Sequence, residues 1–156
     1  MLNLDIPGFK PLSLEHLVLD YNGTLAVDGR MMAGVYDRLH ELSGILQIHV
    51  VTTDTFGCAR EALKGLGANL TVLEPGSQAE AKLAYVQELG PQRVVAIGNG
   101  RNDRLMLAAA ALGVAVSSLE GTAVEALMAA HVYLPSVHEA LDLLEKPLRL
   151  TSTLRS

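Results

Sequence analysis

Residues 17–26 read LVLDYNGTLA and contain the features that decide the fold of this chain. The apolar run from Leu17 to Leu19 predicts a buried strand, and Asp20 stands at its carboxyl end, directly before a Gly-Thr turn. A carboxylate in that place, beside free backbone N–H groups, is suited to nucleophilic attack on a phosphorus centre. The alternative is an ordinary aspartate that caps the turn after its own strand.

Apolar strand-like runs recur along the rest of the chain, with segments of helical periodicity between them. The runs cover residues 16–20, 45–51, 70–73, 93–97, 113–116 and 131–134. Between the first two, Val35, Leu39 and Leu42 share one helical face. Strands that are apolar throughout and alternate with helices indicate a parallel sheet covered on both faces. The predicted fold class is α/β, a doubly wound (Rossmann-like) parallel sheet.

Length and terminal composition predict one domain without a membrane segment. At 156 residues the chain is one domain, with a core at about residues 13–146, an irregular N-terminal segment and a loosely held C-terminal tail at 147–156. The longest apolar run, 105–116, is 12 residues long, and a membrane helix needs roughly 20. Because the N-terminus has an acid and a proline where a signal peptide needs basic and apolar regions, we expect a cytoplasmic protein.

Charge and cysteine content narrow the classes of partner. The net charge is −5, and no basic run is longer than two residues, so a nucleic-acid partner is not expected. The single cysteine, Cys58, excludes an intrachain disulfide and is expected to be a small buried residue. The five histidines are scattered singly, without a spacing that suggests zinc.

Capping boxes predict helix starts at Ser77, Thr122 and Ser136.

Three further segments place polar residues at or near predicted strand ends. Residues 48–55, IHVVTTDT, end an apolar strand in hydroxyl residues. Residues 74–90, EPGSQAEAKLAYVQELG, predict a helix that carries Lys82. Residues 94–107, VVAIGNGRNDRLML, place a Gly-rich loop with Asn99 and Asp103 after another strand. Open α/β sheets have their sites at the carboxyl ends of the strands, so these residues are expected at one edge.

The four segments resemble, in order, the motifs of the haloacid dehalogenase (HAD) superfamily. D-x-x-G-T-L is similar to its motif I, and G-N-G-x-N-D is similar to its magnesium loop, G-D-G-x-N-D. Within the superfamily the chain most resembles the phosphorylation domain of P-type ATPases, which reads D-K-T-G-T-L in motif I and T-G-D in motif II. Thr52 and Asp54 map onto that threonine and aspartate, and Thr53 replaces the glycine. The resemblance covers roughly residues 15–135.

The resemblance implies a reaction and a role for each motif residue. Asp20 would attack phosphorus and form an aspartyl-phosphate, while a lysine and a Mg²⁺ ion offset the negative charge. The catalytic residues would be Asp20, Asn22, Thr52 and Lys82. The substrate-binding residues would be Gly23, Thr24, Thr53 and Arg101. The Mg²⁺ ligands would be Asp20, the main-chain carbonyl of Asn22, Asn99 and Asp103.

The spacing of the motifs predicts a HAD-like core without a cap domain. Thr52 lies 32 residues after Asp20, and Lys82 lies 30 residues after Thr52, which leaves room for about one helix and one strand in each interval. Residues 25–32, LAVDGRMM, contain an Asp-Gly hairpin signal and resemble the small flap that follows motif I. An open site implies either a bulky substrate or a neighbouring subunit as lid, as in the tetrameric KDO-phosphate phosphatases, so a homo-oligomer is one expectation.

Three positions depart from the phosphatase pattern or add to it. Asn22 replaces the general acid of the D-x-D phosphatases, and losing such a group typically costs ~10²–10⁴-fold in rate. P-type ATPases lack this acid too. Asn99 replaces a metal-binding aspartate, for which Asp54 or Asp103 would have to compensate. Arg101 either binds a second substrate anion or is a plain exposed loop arginine.

Three interpretations therefore compete. The first is a Mg²⁺-dependent phosphohydrolase that acts on a small phosphorylated substrate, with acyl phosphates or nucleotides favoured because good leaving groups need the missing acid least. The second is a regulatory or partner-binding domain that binds phosphate with negligible turnover. The third is an unrelated α/β partner domain. The chain lacks the inserted nucleotide-binding domain and the membrane helices of P-type ATPases and cannot pump ions by itself.

Overall fold

A six-stranded parallel sheet forms the centre of the computed structural model, which describes residues 1–53 and 57–156. The strands are β1 Leu2–Leu4, β2 Leu12–Leu14, β3 His16–Leu19, β4 Ala26–Val27, β5 Arg30–Met31, β6 Gln47–Thr52, β7 Asn69–Val72, β8 Val94–Gly98, β9 Leu112–Val116 and β10 Val132–Leu134. The order across the sheet is β10-β9-β8-β3-β6-β7. The six apolar runs of the sequence are these six strands, so the predicted α/β class with a parallel sheet is confirmed.

Helices cover both faces of the sheet, which confirms the doubly wound arrangement. They are α1 Val35–Leu42, α2 Cys58–Ala62, α3 Gln78–Leu89, α4 Arg104–Ala109, α5 Val124–Ala129, α6 Val137–Glu145 and α7 Pro147–Leu154. Leu17 belongs to the larger apolar core, which includes side chains of α1 and α6, whereas Val18 belongs to a second core with Val86 and Met106. Successive residues of β3 thus point to opposite faces of the sheet, and both faces are buried at this strand.

Where the structure describes them, the intervals between the motifs contain short strands and helices. Among the described residues, those between Asp20 and Lys82 form only β4, β5, α1, β6, α2, β7 and the start of α3. In the β4–β5 hairpin, Asp28 has φ 52° and Gly29 has φ 79°. A two-residue type I′ turn requires positive φ at both positions, so the predicted Asp-Gly hairpin is present. We call residues 25–32 the flap.

The expectation of irregular chain ends was wrong. β1 and β2 form an antiparallel hairpin, and residues 147–154 form α7, with Leu150 fully buried. The Ser156 N–H donates to the Pro7 carbonyl at 3.0 Å, so the two ends meet. Thr and Ser are weak helix formers, and the sequence of α7 therefore predicted a tail. Burial of one leucine against the main core stabilises the helix instead.

Some local predictions about helix starts and about Cys58 also need correction. Ser136 caps α6 by accepting a hydrogen bond from the Glu139 N–H at 3.3 Å, as predicted. Ser77 makes no side-chain cap at α3, and the Thr122 hydroxyl donates to the Val116 carbonyl at 2.8 Å instead of capping α5. Cys58 is exposed, because α2 turns Ala59 and not its first residue toward the core.

No helix in the described part of the chain is long and apolar enough to span a bilayer.

Two histidines form a buried pair that their spacing in the sequence does not reveal. The His16 Nδ1 and His49 Nε2 atoms lie 3.1 Å apart on adjacent strands, and His49 Nδ1 lies 2.9 Å from the Tyr85 hydroxyl. Burial lowers the pKa of His16, and it lowers the pKa of His49 to about 4, with a further contribution from His16. Both imidazoles are therefore held in the neutral form near pH 7.

Acid should destabilise the fold through this pair. Unfolded imidazoles take up protons near pH 6.5, whereas folded His49 resists protonation until about pH 4, so stability is full above pH 6.5 and falls below it. We expect the free energy of unfolding to drop by about 2 kcal/mol between about pH 7 and about pH 4 on account of this pair. Urea denaturation of wild type, His49→Gln and the exposed-site control His40→Gln measures it. An equal pH slope in His49→Gln and wild type would contradict the assignment.

Candidate active site

Asp20 and Lys82 meet at the carboxyl end of the central strand. The Asp20 N–H donates to the Ile97 carbonyl at 3.1 Å, which continues the pairing of β3 with β8 and fixes the residue at the sheet edge. Lys82 lies on α3, and its side chain is only 1% exposed. Its Nζ donates to Asp20 Oδ1 at 2.9 Å and to Asp103 Oδ1 at 2.7 Å. One buried ammonium group therefore bridges two buried carboxylates.

Asp103 is held in place by the loop that follows β8. Its Oδ2 accepts hydrogen bonds from the N–H groups of Asn99 and Gly100, at 3.0 and 2.9 Å. A Cβ at Gly98 would lie 2.5 Å from this carboxylate, so the close approach requires glycine there. The carboxylate is inaccessible to solvent, and charge-assisted bonds satisfy both of its oxygens.

Thr24 and Asn99 complete the cluster on the other side of Asp20. The Thr24 hydroxyl lies 3.1 Å from Asn99 Oδ1 and 3.5 Å from Asp20 Oδ2. Asn99 Nδ2 donates to the Gly121 carbonyl at 3.1 Å, which directs the amide oxygen toward Thr24. Gly23 has φ 78°, and a Cβ there would lie 2.4 Å from Asn99 Nδ2. Motif I and the Gly-rich loop are thus packed directly against each other.

The charges in the site are strongly coupled. Burial and then the Asp103 carboxylate raise the pKa of Asp20, Lys82 partly opposes both effects, and the resulting pKa is about 7. Burial works to lower the pKa of Lys82, but Asp20 and Asp103 outweigh it, so the pKa is raised. Lys82 therefore stays protonated. When both acids are ionised the cluster carries one net negative charge, which favours a bound cation.

The residues present fit Mg²⁺. Asp20 Oδ2 and Asn99 Oδ1 both lie near the Thr24 hydroxyl, so they border one small space. Mg²⁺ takes one or two carboxylates, other oxygen donors and water, and the Asp20 carboxylate with the Asn99 amide oxygen fits this preference. Both oxygens of Asp103 are engaged by Lys82 and two backbone N–H groups. Within residues 1–53 and 57–156, no group of three His, Cys, Asp or Glu residues is placed to hold a metal ion. Asp54, the predicted compensating acid, lies outside the described residues.

The positions of the other predicted residues follow from the elements that carry them. Thr52 is the last residue of β6, next to β3, and is buried; Thr53 follows it and is half-buried. The Asn22 side chain is exposed, on the side of the flap, where Asn22 pairs with Ala26. Arg101 is 71% exposed, and its Nε lies 3.3 Å from Glu125 Oε1. The structure therefore brings Asp20, Gly23, Thr24, Lys82, Asn99 and Asp103 together and leaves Arg101 at the rim.

Sequence reasoning missed two connections around the site. Tyr21, directly after Asp20, is buried, and its hydroxyl reaches the flap. The Asn102 amide donates to Gln78 Oε1 at 2.7 Å and ties the Gly-rich loop to the start of α3. An aromatic side chain inside a motif of small and polar residues was the available signal for Tyr21. Nothing in the sequence pairs Asn102 with Gln78.

Surface clefts also occur outside the cluster. A cleft of about 750 Å³ is bordered by Met1, Ile45 and Asn69, at the amino ends of β6 and β7, and contains none of the predicted site residues. A smaller cleft of about 300 Å³ lies between the start of α3 and the loop after β8, and Arg101 borders it. A search for the active site by cleft volume alone would point to the amino ends of the strands, whereas the reactive groups meet at the opposite, carboxyl end of the sheet.

The order of motifs and the geometry agree with a family comparison. A profile of haloacid dehalogenase-like hydrolases matches residues 3–111, well over half of the chain. The chain belongs to this family. It is therefore a hydrolase with a HAD fold, and the resemblance found in the sequence is confirmed at the level of the superfamily.

Known proteins with similar sequence or fold were also found. An uncharacterised protein from Methanocaldococcus jannaschii is 37% identical over 84 residues, which cover 51% of this chain and 90% of that protein. The fold is similar to the 3-deoxy-D-manno-octulosonate 8-phosphate phosphatase of Moraxella catarrhalis, solved with magnesium, phosphate and KDO (TM-score 0.66, 15% identity, 85% of this chain and 86% of that one). It is also similar to the cobalt-bound enzyme of Haemophilus influenzae (TM-score 0.67, 17% identity, 92% and 94%).

Proposed function

We propose that this HAD hydrolase is a Mg²⁺-dependent phosphohydrolase that works through an aspartyl-phosphate on Asp20. The observation that carries the proposal is the contact of Asp20 with Lys82 at the carboxyl end of β3. A carboxylate held beside a buried ammonium group is available as a nucleophile and lies next to a charge that attracts phosphate.

The chain can perform the transfer step with its own residues. A carboxylate oxygen of Asp20 forms a bond to phosphorus, the bond from phosphorus to the leaving oxygen breaks, and that oxygen keeps the electron pair. Lys82 stabilises the negative charge, and Thr52 with the backbone N–H groups after Asp20 would bind the phosphoryl oxygens. Water then cleaves the aspartyl-phosphate, which releases phosphate and restores the carboxylate.

Asp20, the main-chain carbonyl of Asn22, Asn99 and Asp103 are the residues that would hold Mg²⁺. When bound, the ion neutralises charge on the transferred phosphoryl group. The contacts of Asp20 and Asn99 with the Thr24 hydroxyl support these two members of the set, and the net negative charge of the cluster supports a bound cation. The substitution of Asn99 for aspartate removes one charge from that set and should weaken binding.

The likeness to P-type ATPases is part of the proposal. Like them, the chain has no acid at the Asn22 position, so transfer to Asp20 can proceed while breakdown of the aspartyl-phosphate is slow. Acyl phosphates and nucleoside triphosphates would serve best, because their leaving groups need no proton. Some structurally similar proteins are phosphatases of an octulosonate 8-phosphate, which supports a small phosphorylated substrate.

Phosphate release from acetyl phosphate, p-nitrophenyl phosphate and ATP, with Mg²⁺ and with EDTA, tests the proposal. We expect release that EDTA abolishes and that Mg²⁺ restores, fastest for the substrates with good leaving groups. Equal rates with and without Mg²⁺, or no release from all three, would overturn it.

Restoring the missing acid should accelerate turnover. Asn22→Asp places a carboxyl group where phosphatases of the family have one, and we expect phosphate release from p-nitrophenyl phosphate to rise by about 10-fold to 100-fold. The exposed Asn22 side chain leaves room for the change, and the main-chain carbonyl is retained. Asn3→Asp, the same substitution at an exposed residue of β1, is the matched control. An unchanged rate in Asn22→Asp with Mg²⁺ affinity intact would contradict this account.

A second candidate function is phosphate binding without turnover, as a regulatory or partner-binding domain. The observation that favours it is the engagement of Asn99 with Thr24 and Gly121, which leaves a weaker metal site than an aspartate would. Titration with inorganic phosphate separates the two: saturable binding without release from any substrate would favour the regulatory domain.

The proposal includes the wider setting of the protein. One prediction from the sequence is a homo-oligomer in which a neighbouring subunit covers the open site. Another is a cytoplasmic location without nucleic-acid or membrane partners. Sedimentation velocity at increasing protein concentration measures the oligomeric state.

A further inference from the structure

Tyr21 connects the nucleophile to the flap. It follows Asp20 directly, and its ring is completely buried. Its hydroxyl donates to the Gly29 carbonyl in the flap turn at 3.1 Å. Because this bond is made by a side chain that the core immobilises, the turn of the flap is attached to a rigid point next to the reactive carboxylate.

The backbone of the same residue organises motif I. The Tyr21 carbonyl accepts hydrogen bonds from the N–H groups of Thr24, Leu25 and Ala26, at 3.2, 2.9 and 3.0 Å. The loop that contains the phosphate-binding positions and the hydroxyl bond to the flap therefore share one residue.

The flap spans the two motifs that would surround a substrate. Its base is fixed to motif I, where the Met32 N–H donates to the Leu25 carbonyl at 3.0 Å. Its second strand, β5, packs on α2, the helix that follows Thr52 and Thr53 in the chain. A Cβ at Gly29 would lie 3.7 Å from Cys58 Sγ, at the start of that helix. Through these contacts the flap reaches from motif I to the helix that follows motif II in the chain.

We propose that Tyr21 is a positioning residue that holds the flap in place and so limits the size of the leaving group that Asp20 accepts. The inference rests on the proposed phosphohydrolase function. It predicts that small acyl phosphates are preferred over phosphomonoesters with larger leaving groups, because only the latter extend under the flap. Loss of the hydroxyl should relax this preference.

Tyr21→Phe removes the hydroxyl and keeps the buried ring, so the fold should be retained. Tyr36→Phe is the matched control, because the Tyr36 hydroxyl also donates to a carbonyl, that of Lys64, at 3.0 Å and away from the site. Hydrogen exchange of the peptide 25–32 should be roughly fivefold to tenfold faster in Tyr21→Phe and unchanged in Tyr36→Phe. Unchanged exchange in Tyr21→Phe would overturn the role in holding the flap, whether or not the protein hydrolyses phosphate.

Kinetics test the effect on selectivity. The ratio of kcat/KM for p-nitrophenyl phosphate to kcat/KM for acetyl phosphate should rise roughly fivefold in Tyr21→Phe. A merely structural role would lower both values together and leave the ratio unchanged, and that result would overturn the inference. Absence of phosphate release from wild type would instead reject the proposed function, and the selectivity claim with it, while the exchange experiment would still decide whether Tyr21 holds the flap.

Discussion

Asp20→Asn should reduce Mg²⁺-dependent release of phosphate from acetyl phosphate by at least about 10³-fold. The amide is too weak a nucleophile to attack phosphorus. Among the described residues, Asp103 cannot replace Asp20, because it is enclosed by Lys82 and two backbone N–H groups. Phosphate release measured over several enzyme concentrations gives the residual rate.

The same variant should be at least as stable as wild type in the absence of Mg²⁺. Burial and the nearby Asp103 carboxylate raise the pKa of Asp20 to about 7, so its ionisation above that pH opposes folding. The amide removes this cost and leaves the contact of Lys82 with Asp103 in place. We expect a gain on the order of 2 kcal/mol at about pH 8, which shrinks as the pH falls and disappears below about pH 4, once unfolded Asp20 is protonated as well.

The control for Asp20→Asn is Asp5→Asn, the same change at an exposed residue near the N-terminus. It should alter neither the rate nor the unfolding curve. Retention of more than about a tenth of wild-type activity in Asp20→Asn would reject Asp20 as the nucleophile. Loss of stability in EDTA would show instead that the carboxylate of Asp20 is needed for folding.

Lys82→Met should lower both stability and activity. The substitution leaves the carboxylates of Asp20 and Asp103 buried without the ammonium group that bridges them, a change that typically costs about 3–5 kcal/mol. Phosphate release should also fall by roughly 10²–10³-fold, because the charge that offsets the phosphoryl group is gone. Urea denaturation at about pH 7 and about pH 5 should show a smaller deficit in acid, where protonation of Asp20 relieves the repulsion.

A double variant separates the two effects of Lys82. Lys82→Met combined with Asp20→Asn should recover at least about 1 kcal/mol of stability relative to Lys82→Met, because only one buried charge remains, and should stay inactive. The exposed Lys64→Met is the matched control and should behave as wild type. A Lys82→Met protein as stable as wild type would mean that the two acids repel each other little in the fold.

Local features of the chain predicted much of the fold. All six apolar runs became strands. The four inner strands, β3, β6, β8 and β9, are apolar along almost their whole length because they are buried on both faces, whereas the edge strands β7 and β10 are partly exposed. The Asp28-Gly29 hairpin followed for a different reason: positive φ at two consecutive positions is a property of those residues themselves. The order of the four motifs was sufficient to identify the superfamily.

The predictions that failed concerned segments whose structure depends on what they pack against. Helix α7 forms because Leu150 docks on the main core, and no local signal marks a surface ready to receive it. The Thr122 hydroxyl had two acceptable partners, the first turn of α5 and the Val116 carbonyl, and the end of β9 lies within its reach. The exposure of Cys58 likewise depends on which face of α2 turns inward.

The same distinction between local and packing-dependent features applies to the site. The sequence determined which reactive groups are present and at which strand ends they stand, because strand and turn preferences act over a few residues. Only the tertiary structure decided their partners: Lys82 is 62 residues from Asp20, and Thr24 is 75 residues from Asn99, yet each pair is in contact. Such contacts, and the raised pKa of Asp20 that burial and Asp103 produce, depend on strand order and helix packing. The distance between two such residues depends on how the strands and helices of the whole chain pack, because the register of the sheet, and not the number of residues between them, sets how far apart they lie.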